Sequence, residues 1–438
     1  MINTSNGKTL WKKAKQIIPG GSQLLSKRSE MFLPDQWPSY YKRAKGIEIW
    51  DMDNNKFIDM SLMGVGSCIL GYADPDVNKA VKDAVDAGSM TTLNCPEEVN
   101  LAELLIKLNP WADMVRYAKT GGEAMAVAVR IARACSGRDK IAFCGYHGWH
   151  DWYLSANLAD NASLDGQLLP GLDPAGVPRG LINTSIPFNY NKIDELEDII
   201  AKNNDIGVII VETIRHHEPI DNFLGKIRKI AEEIDAVLIF DEITSGWRLN
   251  VGGAHLLYDV NPDIAVYGKA MSNGFPMAAV VGKRDVMDAA QSTFISSTYW
   301  TDRIGPAASI ATINKMQENN VPSHICNIGD IIRAGWEKLA KEHDLNIHLE
   351  GISPLPTFAF EYEESQAMHT LFTQEMLCRG YLASKSVYVS QMHNEDNVSA
   401  FMENVDEVFR VIRNAIEHNS VGNLLKGPVA HTGFKRLT

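Results

Sequence analysis

The spacing of apolar and polar positions changes three times along this chain. Residues 10–18 place apolar side chains at helical intervals, and the run stops at Pro19-Gly20-Gly21, a strong helix breaker. Between Gly46 and Met60 the spacing shortens to every second residue around Asp53-Asn54-Asn55, which predicts a β-hairpin. Helical spacing returns over residues 74–87 and 96–108. The second of these carries acidic residues in its first turn, where they complement the helix dipole.

From 114 to 282 short apolar runs alternate with amphipathic stretches. The pattern predicts strands at 114–117, 140–143, 208–211, 237–240, 264–266 and 278–281, with helices near 123–135, 193–202 and 223–234. Apolar strands alternating with helices imply an α/β fold with a mostly parallel sheet covered on both faces. In such sheets a ligand sits beyond the carboxyl ends of the strands. After Pro306 helices are expected at 307–316, 328–343 and 397–417, and strands at 346–349, 357–360 and 388–390. The expected division is an N-terminal helix and hairpin (1–60), a large domain (61–305) and a smaller α+β C-terminal domain (306–438).

Composition narrows the function classes. The 438 residues exceed one simple core, and 45% hydrophobic with 22% charged residues is ordinary for a soluble protein. A formal net charge of −12 argues against a nucleic-acid partner, which a basic surface would serve. The 6 cysteines form no C-x-x-C pair, so a reduced, cytoplasmic protein with free thiols is expected, with no metal. The N-terminus lacks the apolar stretch of a signal peptide, and no apolar run approaches the roughly 20 residues needed to span a bilayer.

The chemistry gathers at the predicted strand ends. The run Ala236–Phe240 ends in Asp241-Glu242, and the next strand leads to Gly268-Lys269. A buried carboxylate beside a lysine suits pyridoxal 5′-phosphate (PLP): the amine forms a Schiff base with the aldehyde, and the aspartate pairs with the protonated pyridine nitrogen. Taken alone, Lys269 reads more plainly as a solvated loop lysine and Asp241 as a helix cap. Lys119-Thr120-Gly121-Gly122-Glu123 lies between a strand and a helix, where small residues let backbone N–H groups approach a phosphate. It is neither a Walker loop nor a dinucleotide fingerprint. Tyr146-His147-Gly148-Trp149-His150-Asp151 offers rings for stacking on a planar cofactor; a metal site from His147, His150 and Asp151 has no supporting spacing. Glu212 follows a strand and precedes Arg215-His216-His217, and Ser296–Thr301 is rich in hydroxyls.

Taken in order, these segments resemble the class III, fold-type I PLP-dependent aminotransferases, most nearly the glutamate-1-semialdehyde aminomutase branch. The resemblance runs from Pro19-Gly20-Gly21 to the last helix. Its most specific stretch is Leu238-Ile239-Phe240-Asp241-Glu242-Ile243-Thr244-Ser245-Gly246-Trp247-Arg248, joined by Pro262-Asp263 through Lys269, Gly274-Phe275-Pro276-Met277 and Tyr146-His147-Gly148. The resemblance implies that Lys269 forms the Schiff base and shuttles the proton, while Asp241 keeps the pyridine nitrogen protonated. It further implies that Tyr146 stacks on the ring, that Thr120, Gly121 and Gly122 hold the phosphate, and that His147, Glu212 and Ile243 contact the cofactor. Where the family commonly has Gly-Thr, this chain has Gly121-Gly122. Thr298 or Thr301 would reach the cofactor phosphate of a neighbouring subunit, which implies a homodimer with shared sites.

Several positions depart from the aminomutase pattern. The basic residues after Pro19-Gly20-Gly21 are displaced to Lys27-Arg28, Val65 replaces a wall tryptophan, and Arg215, His216 and His217 stand where Pro and then Gly-Asn are usual. The stretch 383–393 lacks the family's Glu-Ala-Gly-Phe run. A smaller wall, a missing acidic gate and an arginine able to bind a carboxylate point to amino transfer between two small molecules. Arg28, Val65, Arg215 and His217 are the candidate substrate contacts. The alternatives are the aminomutase, an isomerase of tetrapyrrole synthesis, a PLP decarboxylase or racemase, and a non-catalytic protein on the same fold.

Overall fold

The computed structural model describes residues 3–167 and 170–434. The chain forms two compact units, one from 1–74 with 323–438 and the other from 75–322. The boundaries differ from the three expected segments, because the N-terminal and C-terminal portions share one sheet.

In the first unit, β1 (Tyr41–Lys45), β2 (Glu48–Asp51) and β3 (Lys56–Met60) form an antiparallel meander. Asn54 takes the left-handed conformation in the loop between β2 and β3, which asparagine tolerates. β1 carries no apolar alternation to predict it, since Tyr41-Lys42-Arg43-Ala44-Lys45 is exposed and mostly polar.

The second unit is built on seven strands: β4 (Met114–Ala118), β5 (Lys140–Cys144), β6 (Ser185–Pro187), β7 (Ile206–Glu212), β8 (Val237–Asp241), β9 (Ile264–Tyr267) and β10 (Ala278–Gly282). Their order is β4-β10-β9-β8-β7-β5-β6. The pairs from β9 through β6 are parallel, and β10 is antiparallel to both β9 and β4. All six expected strands of this region are present. β6 is added at the sheet edge, where a three-residue strand tolerates Pro187. Along β7, Val208 and Ile210 join one core with Met125, Val129 and Ile131 of the helix Gly121–Ser136. Ile209 and Val211 join the other core with Leu196, Leu224 and Ile227. Each fully buried aliphatic side chain contributes roughly 1.5–3 kcal/mol, so both faces of the sheet are anchored and its carboxyl edge is held rigid.

The rest of the first unit adds β11 (Ile347–Glu350), β12 (Thr357–Phe360) and β13 (Tyr381–Ala383). β13 pairs parallel with β3, and Leu33, Phe57, Leu377 and Leu382 cluster around that junction. The strand expected at 388–390 is not formed. Its amides donate in turn to the Ser61 carbonyl, the Pro354 carbonyl and His393 Nδ1, three separate partners in place of one ladder. The helix Ser365–Cys378 was not expected either: Thr370, Thr373 and Gln374 are buried beside Leu371, Phe372 and Met376, which erases the polar face that signals an amphipathic helix. Among the described residues no helix is long and apolar enough to cross a membrane.

Candidate active site

The parallel arrangement brings the carboxyl ends of several strands to one edge. β4 runs with β9, because both are antiparallel to β10. Beyond these ends lie Thr120-Gly121-Gly122 after β4, Tyr146-His147 after β5, Glu212 closing β7, Asp241 closing β8 and Lys269 after β9. Glu212 is the direct pairing partner of Asp241, and Asp241 that of Val266.

Lys269 has a left-handed backbone, φ 44°, and opens a short 3₁₀ turn to Ser272. A non-glycine residue held there is strained, a common mark of a functional position. Its Nζ donates to Thr244 Oγ1 at 2.7 Å. Burial, then the nearby Arg215, bring its pKa from 10.5 down to about 8, while Glu212 and Asp241 oppose the fall. A lysine so placed has a sizeable neutral, nucleophilic fraction near neutral pH.

Asp241 is 3% exposed. Its Oδ1 accepts from the Ile243 amide at 3.0 Å, and its Oδ2 lies 2.8 Å from His147 Nδ1. The other ring nitrogen, Nε2, donates to the Cys144 carbonyl at 3.1 Å. His147 therefore shares a proton with Asp241 and fixes the carboxylate in place. With both nitrogens engaged, the ring has none left for a metal. Among the described residues no three His, Cys, Asp or Glu side chains cluster to hold one.

Glu212 accepts from the Tyr146 amide at 3.1 Å and pairs with Arg215 Nη1 at 3.2 Å. Burial alone would raise its carboxyl pKa, yet Arg215, His147, the Tyr146 amide and Lys269 together hold it below the ordinary value. Gly145, at φ 113°, permits this approach: a Cβ there would lie 2.8 Å from Glu212 Oε2. Tyr146 is half-buried, edge-on to Tyr153 at 5.8 Å.

The helix Gly121–Ser136 opens with a capping box. Thr120 accepts from the Glu123 amide, and Glu123 accepts from the Thr120 and Lys119 amides. The amides of Gly121 and Gly122 fall in the first turn, where no intrahelical acceptor exists. A Cβ on Gly121 would sit 2.9 Å from Ile243 Cδ1, and one on Gly268 3.6 Å from Ile243 Cγ2. Ile243 thus forms an apolar shelf between the helix start and the Lys269 turn.

Other expected residues lie elsewhere. Thr298 and Thr301 are exposed on a 3₁₀ turn, where Thr301 Oγ1 donates to the Thr298 carbonyl at 3.0 Å. His216 and His217 are exposed. Arg28 and Val65 belong to the first unit, in which Val65 has φ 57°. The residue pattern assigns no role to Thr244, the lysine's hydrogen-bond partner, or to the buried Arg248, whose Nε donates to the Thr244 carbonyl at 2.9 Å. Both lie inside the quoted Asp241–Arg248 motif, so the signal was present without a role attached. Glu242 turns away from the site: its Oε1 binds the backbone and Nδ1 of His255, each at 2.8 Å.

Comparison with known proteins agrees with this geometry. Residues 34–404 match the family described as aminotransferase class-III. The chain is 31% identical to the 3-aminobutyryl-CoA aminotransferase of Cloacimonas acidaminovorans, covering 85% of this chain and 88% of that one. It is 32% identical to the glutamate-1-semialdehyde 2,1-aminomutase of Methanothrix thermoacetophila, covering 92% and 96%. The FumI protein of Sphingopyxis sp. MTA144, solved in its PLP internal aldimine form, superposes with a TM-score of 0.84 at 25% identity, over 94% of this chain and 97% of that one. The residues here fit that cofactor. There is an amine of lowered pKa, a carboxylate fixed by a histidine, an apolar shelf, and a helix start where glycines leave room for a phosphate. The chain belongs to the class III aminotransferase family, on PLP fold type I, with pyridoxal 5′-phosphate as its cofactor.

Proposed function

We propose that this protein transfers amino groups between separate molecules, from an amino donor to a carbonyl acceptor bearing an acidic or polar group. The bound cofactor supplies the electron sink and the carbonyl that takes up the amino group. Lys269 carries the cofactor and moves the proton at the substrate α-carbon, for which a pKa near the working pH is suited. Asp241, steadied by His147, pairs with the ring nitrogen; Tyr146 and Ile243 bracket the ring; Thr120, Gly121 and Gly122 seat the phosphate.

The observation that carries the reading is the Arg215–Glu212 pair. It keeps a half-buried guanidinium close enough to Lys269 to be the largest charge effect on it. An incoming carboxylate can take the place of Glu212 on this arginine by bidentate hydrogen bonding. An enzyme that must accept two substrates in turn has use for such an exchangeable partner. The name of the 31% identical relative, an aminotransferase, points the same way.

A second copy of the chain belongs to this reading. Phe294 is 87% exposed and Tyr299 70%, large aromatic surface close in the chain to Thr298 and Thr301. A homodimer that covers it would let one threonine reach the partner's cofactor phosphate.

The aminomutase is the second reading, favoured by the 32% identical relative that carries that name. Offering the purified holoenzyme glutamate 1-semialdehyde alone, and then a panel of simple amino donors, separates the two. Loss of the cofactor's visible band with a donor, and no turnover of the semialdehyde alone, is expected. Formation of 5-aminolevulinate without any donor would establish the aminomutase.

A further inference from the structure

We infer that Thr244 is the positioning residue of the Lys269 amine: its hydroxyl is the seat that Nζ occupies whenever the lysine is not bonded to the cofactor. This rests on the reading of Lys269 as the cofactor-carrying amine proposed above.

The seat is built by the segment from Asp241 to Arg248. Glu242 points away from the site, where one oxygen accepts from the His255 amide at 2.8 Å and the other from Ser245 Oγ at 2.9 Å. The Gly246 amide donates back to the Glu242 carbonyl at 2.9 Å, closing a tight turn around Thr244. Only glycine fits there, since a Cβ on Gly246 would lie 2.6 Å from that carbonyl oxygen. Asp241 Oδ1 takes the Ile243 amide, and Arg248 Nε takes the Thr244 carbonyl. The backbone is thus pinned on both sides of Thr244, which is itself buried. A β-branched side chain is stiff about χ1, so its hydroxyl is held in place.

Lys269 comes to this seat from the next strand, with its backbone held left-handed at φ 44° and its Nζ donating to Thr244 Oγ1 at 2.7 Å. The long, flexible side chain is therefore fixed at both ends. The kind of acceptor matters. A carboxylate in that place would hold the ammonium form. Glu212 and Asp241 are close enough to act on the lysine's charge, yet among the described residues neither forms an ion pair with Nζ. A neutral hydroxyl takes one N–H and leaves the lone pair of the neutral amine unblocked.

When that amine attacks an aldehyde, nitrogen bonds the carbonyl carbon, and both amine protons leave with the oxygen as water. The hydrogen bond to Thr244 is then given up, and it re-forms when a substrate amine displaces the lysine. Thr244 holds the freed amine in one place at the stage where Lys269 moves the substrate proton.

A buried amine also needs an acceptor for stability alone, and the test separates the two roles. The natural chain, Thr244→Val and Thr244→Ser are freed of cofactor and mixed with PLP, and the capture rate is followed by stopped-flow absorbance across pH. Positioning predicts a high-pH plateau about tenfold slower in Thr244→Val, where the amine is neutral but unseated, and within about threefold of the natural rate in Thr244→Ser. Trace labelling of Lys269 with acetic anhydride, without PLP, should give a lower pH midpoint in Thr244→Val, because a hydrogen bond that favours the ammonium is gone. Urea midpoints of all three chains are measured alongside. Lost stability with an unchanged plateau overturns the inference, as does an unmoved labelling midpoint or a folded Thr244→Ser as slow as Thr244→Val. Capture of PLP by Lys269→Ala at the natural rate overturns the reading of Lys269 itself, and this inference with it.

Discussion

Glu212 and Asp241 face each other as direct partners across β7 and β8, yet each carboxylate takes a different cationic or proton-sharing neighbour: Arg215 for Glu212 and His147 for Asp241. One carboxylate is held by a buried histidine. The other is held by a half-buried arginine, the one proposed above to exchange Glu212 for an incoming carboxylate.

Lys269 turns this charge pattern into a pH dependence. Only its neutral amine attacks an aldehyde, so the rate at which the cofactor-free protein captures PLP should rise as pH passes about 8. Arg215→Gln removes a cation that holds this pKa down and should move the midpoint to higher pH. Glu212→Gln removes an anion that holds it up and should move the midpoint to lower pH. Shifts of about half to one unit are expected, read by stopped-flow absorbance at a series of pH values. Shifts of the same sign in both variants would refute the electrostatic account.

His147→Asn should weaken PLP binding by about 10–100-fold, the range expected for losing a hydrogen bond to a charged group. Because the imidazole also packs against Phe143, Trp152 and Tyr153 of the core, the urea midpoint of the variant is measured alongside, and the loss of affinity should exceed any loss of stability. Equilibrium dialysis against PLP measures it. Unchanged affinity would remove His147 from the site.

Val65 holds a left-handed backbone in a run from Met63 to Gly66 that is left-handed throughout. A β-branched residue pays for that conformation in strain. Val65→Gly should stabilise the chain by about 1 kcal/mol, seen as a higher urea midpoint. A lower midpoint would mean that its packing outweighs the strain.

His369 is packed against Phe358 and Phe360 at 5.0 and 4.8 Å, and burial lowers its pKa from 6.5 to about 3. Between these values the unfolded chain binds the proton and the folded one does not, so stability falls as pH drops from about 6.5 toward 3. His369→Leu should flatten this loss, by roughly 2 kcal/mol at pH 5 relative to pH 7. Urea unfolding at the two pH values tests it, and an unchanged pH slope would contradict the assignment.

What the sequence made legible depended on how each element earns its stability. β7 and β8 are buried on both faces and read directly as continuous apolar runs, and their last residues, Glu212 and Asp241, were legible as strand-end carboxylates. The helix Ser365–Cys378 escaped because neighbours bury its threonines and glutamine, which leaves no polar stripe to read. β13 escaped because three residues are too few for a period, and its partner β3 lies more than three hundred residues away in the chain. At the site, residue types were visible but their pairings were not. Arg215 read as a carboxylate-binding arginine, and its partner in the fold is Glu212. His150 read as a weak metal candidate, and only the fold places it on Gly122.

The central claim is that Lys269 carries the cofactor, and chemical trapping tests it most directly. The holoenzyme is reduced with borohydride, digested, and its peptides weighed by mass spectrometry. The account predicts one phosphopyridoxyl group, attached to Lys269, and none in Lys269→Ala. A cofactor trapped on another lysine, or none trapped on the natural chain, would contradict it.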